Sequence, residues 1–238
     1  MAAASALFAI GASLAAMNVA FVAIVVAVGW TMRLRPVTIT LHQGPSITAF
    51  SWRGMAFFLR LLPLGSGVRF LERAHVSPAC AQQVKGRIVF ADELHPLCRI
   101  LFALSPPCGF LAFAWIVLGD NLYLDAITAL PQIYLGALRP NSLGVELLSH
   151  YVTKWQESPL IALALLSAKY GVYLLVPTPG SPGFHAIVET VRAVSGRNPL
   201  ESLKDLPLLL LSSPAFVAYI GWTVALAVYG YQLLDTAI

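Results

Sequence analysis

Phe21-Val22-Ala23-Ile24-Val25-Val26-Ala27-Val28-Gly29-Trp30-Thr31-Met32-Arg33-Leu34-Arg35-Pro36 decides the class of this protein. It is the end of an apolar run over residues 5–32. The run stops where Arg33 and Arg35 bring cations to a headgroup layer and Pro36 withdraws the amide that a helix would use. A hydrocarbon layer of about 30 Å asks for about 20 helical residues, so the run is long enough to span one with tilt. Ser13-Leu14-Ala15-Ala16 has the small residues of a signal cleavage site, but no cation precedes the run and it outlasts a signal core, so it reads as a retained helix.

Composition agrees. Hydrophobic residues make up 58% of the 238 and charged residues only 11%, with a mean hydropathy of +0.76, whereas about a quarter of a soluble domain is charged. The net charge of +4 is explained by topology, because the basic residues lie in loops between apolar runs without the interleaved aromatics that stack bases. Nucleic acid is not expected as a partner. Cys80, Cys98 and Cys108 have no paired metal-site spacing and read as reduced thiols.

Three further spans are expected at 97–118, 158–178 and 207–233. Most of the 15 Lys and Arg lie between the first and second spans, and others, Arg192, Arg197 and Lys204, between the third and fourth. The loop between the second and third holds Arg139 and Lys154 against Asp120, Asp125, Glu146 and Glu157. The positive-inside rule then makes the first and third loops cytoplasmic and leaves both termini outside. Residues 120–157 read as too polar to span and as packing on the outer ends of the helices.

The stretch 37–72 breaks the helical pattern. Val37-Thr38-Ile39-Thr40-Leu41 alternates as a strand does, Ala56-Phe57-Phe58-Leu59 and Leu61-Leu62-Pro63-Leu64 are apolar but too short to span, and Gly44-Pro45 and Gly65-Ser66-Gly67 mark turns. Irregular backbone survives at membrane depth only under cover of protein or a water cavity. A membrane-associated β-hairpin or re-entrant loop beside the first helix is expected, within one compact membrane domain over 1–238.

Five places in order carry a resemblance. They are the first apolar helix, the Gly44-Pro45 turn, Trp52-Arg53-Gly54 leading into Leu59-Arg60-Leu61-Leu62-Pro63-Leu64-Gly65 with Val68-Arg69-Phe70, Ala103-Leu104-Ser105-Pro106-Pro107, and Leu135-Gly136-Ala137-Leu138-Arg139-Pro140 followed by Leu174-Leu175-Val176-Pro177-Thr178-Pro179-Gly180-Ser181-Pro182-Gly183-Phe184-His185. Together they resemble the site-2 proteases, the intramembrane zinc metalloproteases. The resemblance implies an all-α membrane body of about four helices in the site-2 protease arrangement, in the style of bacterial inner-membrane members.

It also implies a zinc site, and here the chain departs from the family. Zinc in such an enzyme is held by the histidines of H-E-x-x-H and the aspartate of L-D-G, with the glutamate as general base. The corresponding positions are Phe21, Val22 and Val25, and Pro182; the family's two asparagines correspond to Leu174 and Phe110. No shift of register helps, since residues 1–32 contain no His, Asp, Glu or Cys. No catalytic residue and no cofactor is therefore expected, and apolar groups in place of ligands spare the core the cost of buried polar groups without a metal.

Remaining polar residues offer weaker leads. His75, Cys80, His95 and Cys98 cluster in one loop, and His185 matches the histidine that ends the family's G-G-H; both read as incidental polar positions. Lys169 lies inside the third span, where a lysine needs a partner, and Glu146, Glu157 and Asp120 are candidates. Gly11, Ala15, Lys169 and Tyr173 are the expected contact positions for other membrane helices, the small residues permitting close approach. The expected function is a catalytically inactive structural or scaffold subunit that binds other integral membrane proteins within the bilayer. The alternatives are an active protease with borrowed or non-standard zinc ligands and a small transporter-like protein using Lys169.

Overall fold

The computed structural model describes residues 2–62, 65–76, 88–196, 199–201 and 205–235. They form a mostly helical membrane protein that also contains a β-sheet. The chain divides into two compact units, one of residues 13–106 and the other of residues 1–12 with 107–238.

Helix α1 (Ala2–Thr31), which belongs to the first unit from Ser13 onward, is apolar on every side, as a helix in lipid is. Arg33 follows in the left-handed region, at φ 59°, and turns the chain into a sheet. Strands β1 (Pro36–Leu41), β2 (Gln43–Trp52), β3 (Met55–Leu62) and β4 (Gly67–Phe70) lie in the order β2-β3-β1-β4. Only His42 separates β1 from β2, yet β3 lies between them, parallel to β1 and antiparallel to β2. The chain therefore steps across two strand spacings, about 10 Å, within a few residues. His42 at φ 69° and Gly44 at φ 84° make that step, and His is among the few residues other than Gly that adopt the left-handed region with any frequency.

Register assigns the faces. Val68, Ile39, Phe57 and Phe50 line up in one row across the sheet. Ile39 is buried with Val22 and Val26 of α1, and Phe21, Leu41, Phe57 and Val68 pack around them. Phe50 extends the row beyond this cover, stacked on Phe57 with centroids 4.9 Å apart. The opposite face carries Thr38, Thr40, Arg60 and Arg69. The sheet runs back along α1: Arg35 donates to the Arg53 carbonyl at the near end, and Ser66 donates to Asn18 at the far end. Asn18 lies about 20 Å down the helix axis from Thr31 at ~1.5 Å per residue.

The all-α expectation is thus corrected: residues 36–62 and 67–70 supply a four-stranded sheet. Ala56-Phe57-Phe58-Leu59 and Leu61-Leu62, taken as short apolar pieces, are one strand whose two faces are both apolar in part. Gly29 makes room for the end of β4, since a Cβ there would meet the Phe70 ring, which packs edge-on to Phe102.

Helix α2 (Pro96–Leu118) leads, through a 3-10 turn at Gly119–Asn121, into α3 (Leu122–Leu138). A π-helical turn, Pro140–Gly144, joins α3 to α4 (Val145–Glu157); α5 (Pro159–Leu175), α6 (Pro182–Ser195) and α7 (Asp205–Asp235) follow. Ser158 and Ser181 cap α5 and α6 by accepting from the amides of Ile161 and Phe184.

In the second unit several glycines allow close packing. A Cβ on Gly136 would strike the Trp222 ring, one on Gly221 would fall on the backbone of Ala137, and one on Gly144 would meet the Gly136 carbonyl and Ala225. These residues let α3 and α7 approach backbone to backbone. Trp222 Nε1 donates to the Ile133 carbonyl at 2.9 Å and fixes their rotation.

Two helix prolines share a device. Pro106 and Pro214 leave the carbonyls of Phe102 and Leu210 without their helical amides. In each case the preceding serine covers the carbonyl: Ser105 Oγ to Phe102 O and Ser213 Oγ to Leu210 O, both at 2.7 Å.

Among the described residues, three stretches are long and apolar enough to cross a membrane: Ala4–Thr31, Pro96–Leu138 and Leu210–Asp235. For residues 122–138 the expectation that 120–157 is too polar is corrected, because α3 is apolar and continues the run of α2. Asp120 and Asp125 sit at its start and nothing charged follows before Arg139. Helix α5, expected to span over 158–178, ends at Leu175 after 17 residues. Val176 is extended before Pro177, as the residue preceding a proline prefers.

Candidate functional site

The positions that correspond to protease ligands are occupied by packing. Val22 and Val25 are buried at 8% and 6% exposure, and Phe21 and Val22 contact the sheet through Ile39 and its neighbours. Phe110, at an asparagine position, is 2% exposed and meets the Tyr170 ring edge-on with centroids 5.1 Å apart. Leu174, at the other, is buried, and Pro182 is the buried first residue of α6, where a proline's missing amide is harmless.

Among the described residues, no three His, Cys, Asp or Glu side chains gather as metal ligands would. His75 pairs with Glu72 at 3.3 Å on the surface, and His95 Nδ1 accepts the Leu97 amide. Cys98 is a free thiol, and Cys80 lies outside the described residues. His185 is exposed and in edge contact with Phe184.

Of the expected helix-contact positions, Lys169 has the most developed surroundings. Its ammonium donates to Gln132 Oε1 and stands 3.9 Å from Asp125 Oδ1, with both charged side chains 26% exposed. These partners replace the ones expected from sequence. Glu157 bonds Lys154 instead, while Asp120 and Glu146 are exposed elsewhere on the unit. Asp125 and Gln132 are two helical turns apart and so lie on one face of α3, a signal that was readable once this stretch was taken as a helix. Tyr173, one turn beyond Lys169 on α5, is half-buried. Gly11 is half-buried with open space where a Cβ would stand, and Ala15 is half-buried too. The structure brings Lys169 and Tyr173 onto one helix.

No protein-family model matches the chain, and no curated protein matches it.

Proposed function

We propose that this chain is a catalytically inactive, site-2 protease-like integral membrane protein that serves as a structural or scaffold subunit, binding transmembrane helices of a larger membrane complex. The observation that carries the reading is the fate of the α1 segment around Val22. Its side chains are committed to an apolar contact with Ile39, Phe57 and Val68 of the sheet, which supports a packing role for this segment. Phe110 against Tyr170 supports the same reading at a second position. In this view α5 completes a four-span body, the sheet dips into the bilayer beside α1, and both termini lie outside a bacterial inner membrane. The partners are integral membrane proteins, met at Gly11, Ala15, Lys169 and Tyr173. Gly11 supports this role because a neighbouring helix could close onto it without displacing anything.

Extraction from native membranes in a mild detergent, followed by particle sizing, mass spectrometry and zinc analysis, tests the proposal. A discrete particle containing another integral membrane chain in fixed ratio and no bound zinc is the expected result. Stoichiometric zinc with cleavage of a transmembrane substrate overturns it in favour of the protease.

One observation favours a second reading. The Asp125 carboxylate beside Lys169 supplies the buried opposite charge that a small transporter would use. Loss of a measured ion or solute flux in Lys169→Met proteoliposomes is the result that would establish it.

A further inference from the structure

At the end of the sheet nearest Asn18, a cleft of about 410 Å³ is lined by Thr40, His42, Gln43, Arg60, Ser66 and the glycines at 44, 65 and 67. Two nitrogens of the lining residues, His42 Nδ1 and Arg60 Nε, are enclosed and have no hydrogen-bond partner. A buried donor without an acceptor costs about 1–3 kcal/mol, and more on a charged group. Arg60 Nε is such a donor on a permanent cation, in a cleft whose described lining includes no carboxylate, so an acceptor that carries negative charge would suit it.

Every feature of the lining suits that acceptor. Arginine offers a planar fork of donors matched to phosphate or carboxylate oxygens. The hydroxyl of Thr40 and the amide of Gln43 are uncharged donors of the kind that complete such a shell. The glycines remove Cβ atoms from the rim: at Gly67 nothing stands within 4 Å of where one would be. His42 is held in the left-handed region at φ 69°, a conformation that costs a residue other than glycine about 1 kcal/mol or more and that clusters at ligand sites. Ser66 fixes the pocket, accepting the His42 amide at 3.2 Å and donating to Asn18 at 3.1 Å. The cleft volume falls in the range of small-ligand sites.

We propose that this cleft binds an oxyanion, a phosphate or carboxylate group, with Arg60 as its cation and His42 as a polar neighbour in the lining. The anion is carried by a membrane amphiphile or arrives free from solution. The proposal does not depend on the scaffold reading.

The test uses the full chain in a neutral maltoside detergent. Dodecyl phosphate, laurate and dodecanol are added in turn, and binding is followed by thermal stabilisation and by native mass spectrometry. Binding of dodecyl phosphate or laurate at least tenfold tighter than dodecanol is expected. Arg60→Gln should weaken that binding tenfold or more. Gly67→Leu, which fills the cleft from an open rim, should abolish it while leaving the unfolding temperature of the ligand-free protein near wild type. Competition by inorganic phosphate identifies a free anion as the occupant, and its failure to compete identifies the alkyl-bearing form. Equal binding of dodecanol, or wild-type affinity in a folded Arg60→Gln or Gly67→Leu protein, overturns the proposal and leaves the cleft to water.

Discussion

Ser66 Oγ donates to Asn18 Oδ1 across 3.1 Å, joining the turn before β4 to the middle of α1. The same oxygen accepts from the His42 amide, so one hydroxyl ties the far end of the sheet to the helix. Hydrogen bonds between elements within a membrane are worth on average about 0.6 kcal/mol in double-mutant cycles. Asn18→Ala and Ser66→Ala should each lower stability in detergent, and the cycle of the two should return a coupling of about that size. Additive effects would show the contact to be energetically idle.

Gly221 and Gly11 predict opposite responses to the same methyl group. Gly221→Ala drives a Cβ into the Ala137 backbone, and overpacking costs about 1–3 kcal/mol or more. Gly11→Ala meets open space and should leave the unfolding of the isolated chain unchanged or slightly improved, as helix propensity favours Ala over Gly. If Gly11 receives a partner helix, the same substitution should loosen the complex, which co-purification measures directly.

The serine-proline steps predict a conditional effect. Ser213→Ala uncovers the Leu210 carbonyl, an unmade bond worth about 1 kcal/mol. In a Pro214→Ala background the main-chain amide at 214 is restored, so the serine's loss should cost much less. Equal losses in both backgrounds, read from thermal unfolding, would disprove that the hydroxyl substitutes for the missing amide.

Lys169→Met removes one charge of the Lys169–Asp125 pair and leaves the other without compensation, a loss of the order of a few kcal/mol for a buried pair, reduced here by partial exposure. Lys169→Met combined with Asp125→Asn should recover most of it. Expression in membranes and unfolding temperature give the readout, and a double variant no better than the single one refutes the pairing.

Rebuilding the protease motif should fail. Phe21→His, Val22→Glu and Val25→His together place polar groups where Val22 and Phe21 pack on Ile39 and its neighbours. Val22→Glu alone should destabilise by more than about 2 kcal/mol, and added zinc should not restore the loss. A triple variant that binds one zinc and gains stability would contradict the inactive reading.

What could be read from sequence follows the physics of each segment. The end of α1 was legible because Arg33, Arg35 and Pro36 combine charge with a missing amide, and β1 because Val37, Ile39 and Leu41 alternate with threonines. Strand β2 was hidden by register shifts around Ser46 and Thr48 that break its alternation. Strand β3 was hidden because Ala56, Phe57, Phe58 and Leu59 leave no polar face to count. The partner of Lys169 was missed for a related reason: Asp120 and Asp125 made the start of α3 look like loop, which concealed the two-turn spacing that aligns Asp125 with Gln132. The cleft at His42 and Arg60 had no local signature, since strand pairing alone brings those positions together.

The placement of β3 between β1 and β2 sets an order on biogenesis. When α1 has entered the bilayer and synthesis has reached Gly54, both β1 and β2 exist but neither has its neighbour, so both present bare amides and carbonyls along their facing edges. The slot between them is filled only when Met55–Leu62 emerges, and the outer edge of β1 is closed later still by Gly67–Phe70. Until then the unpaired backbone must stay wet, because hydrocarbon offers it no partner. Strands β1 and β2 are thus joined only through a strand made later, so the sheet closes as a unit and not strand by strand in chain order.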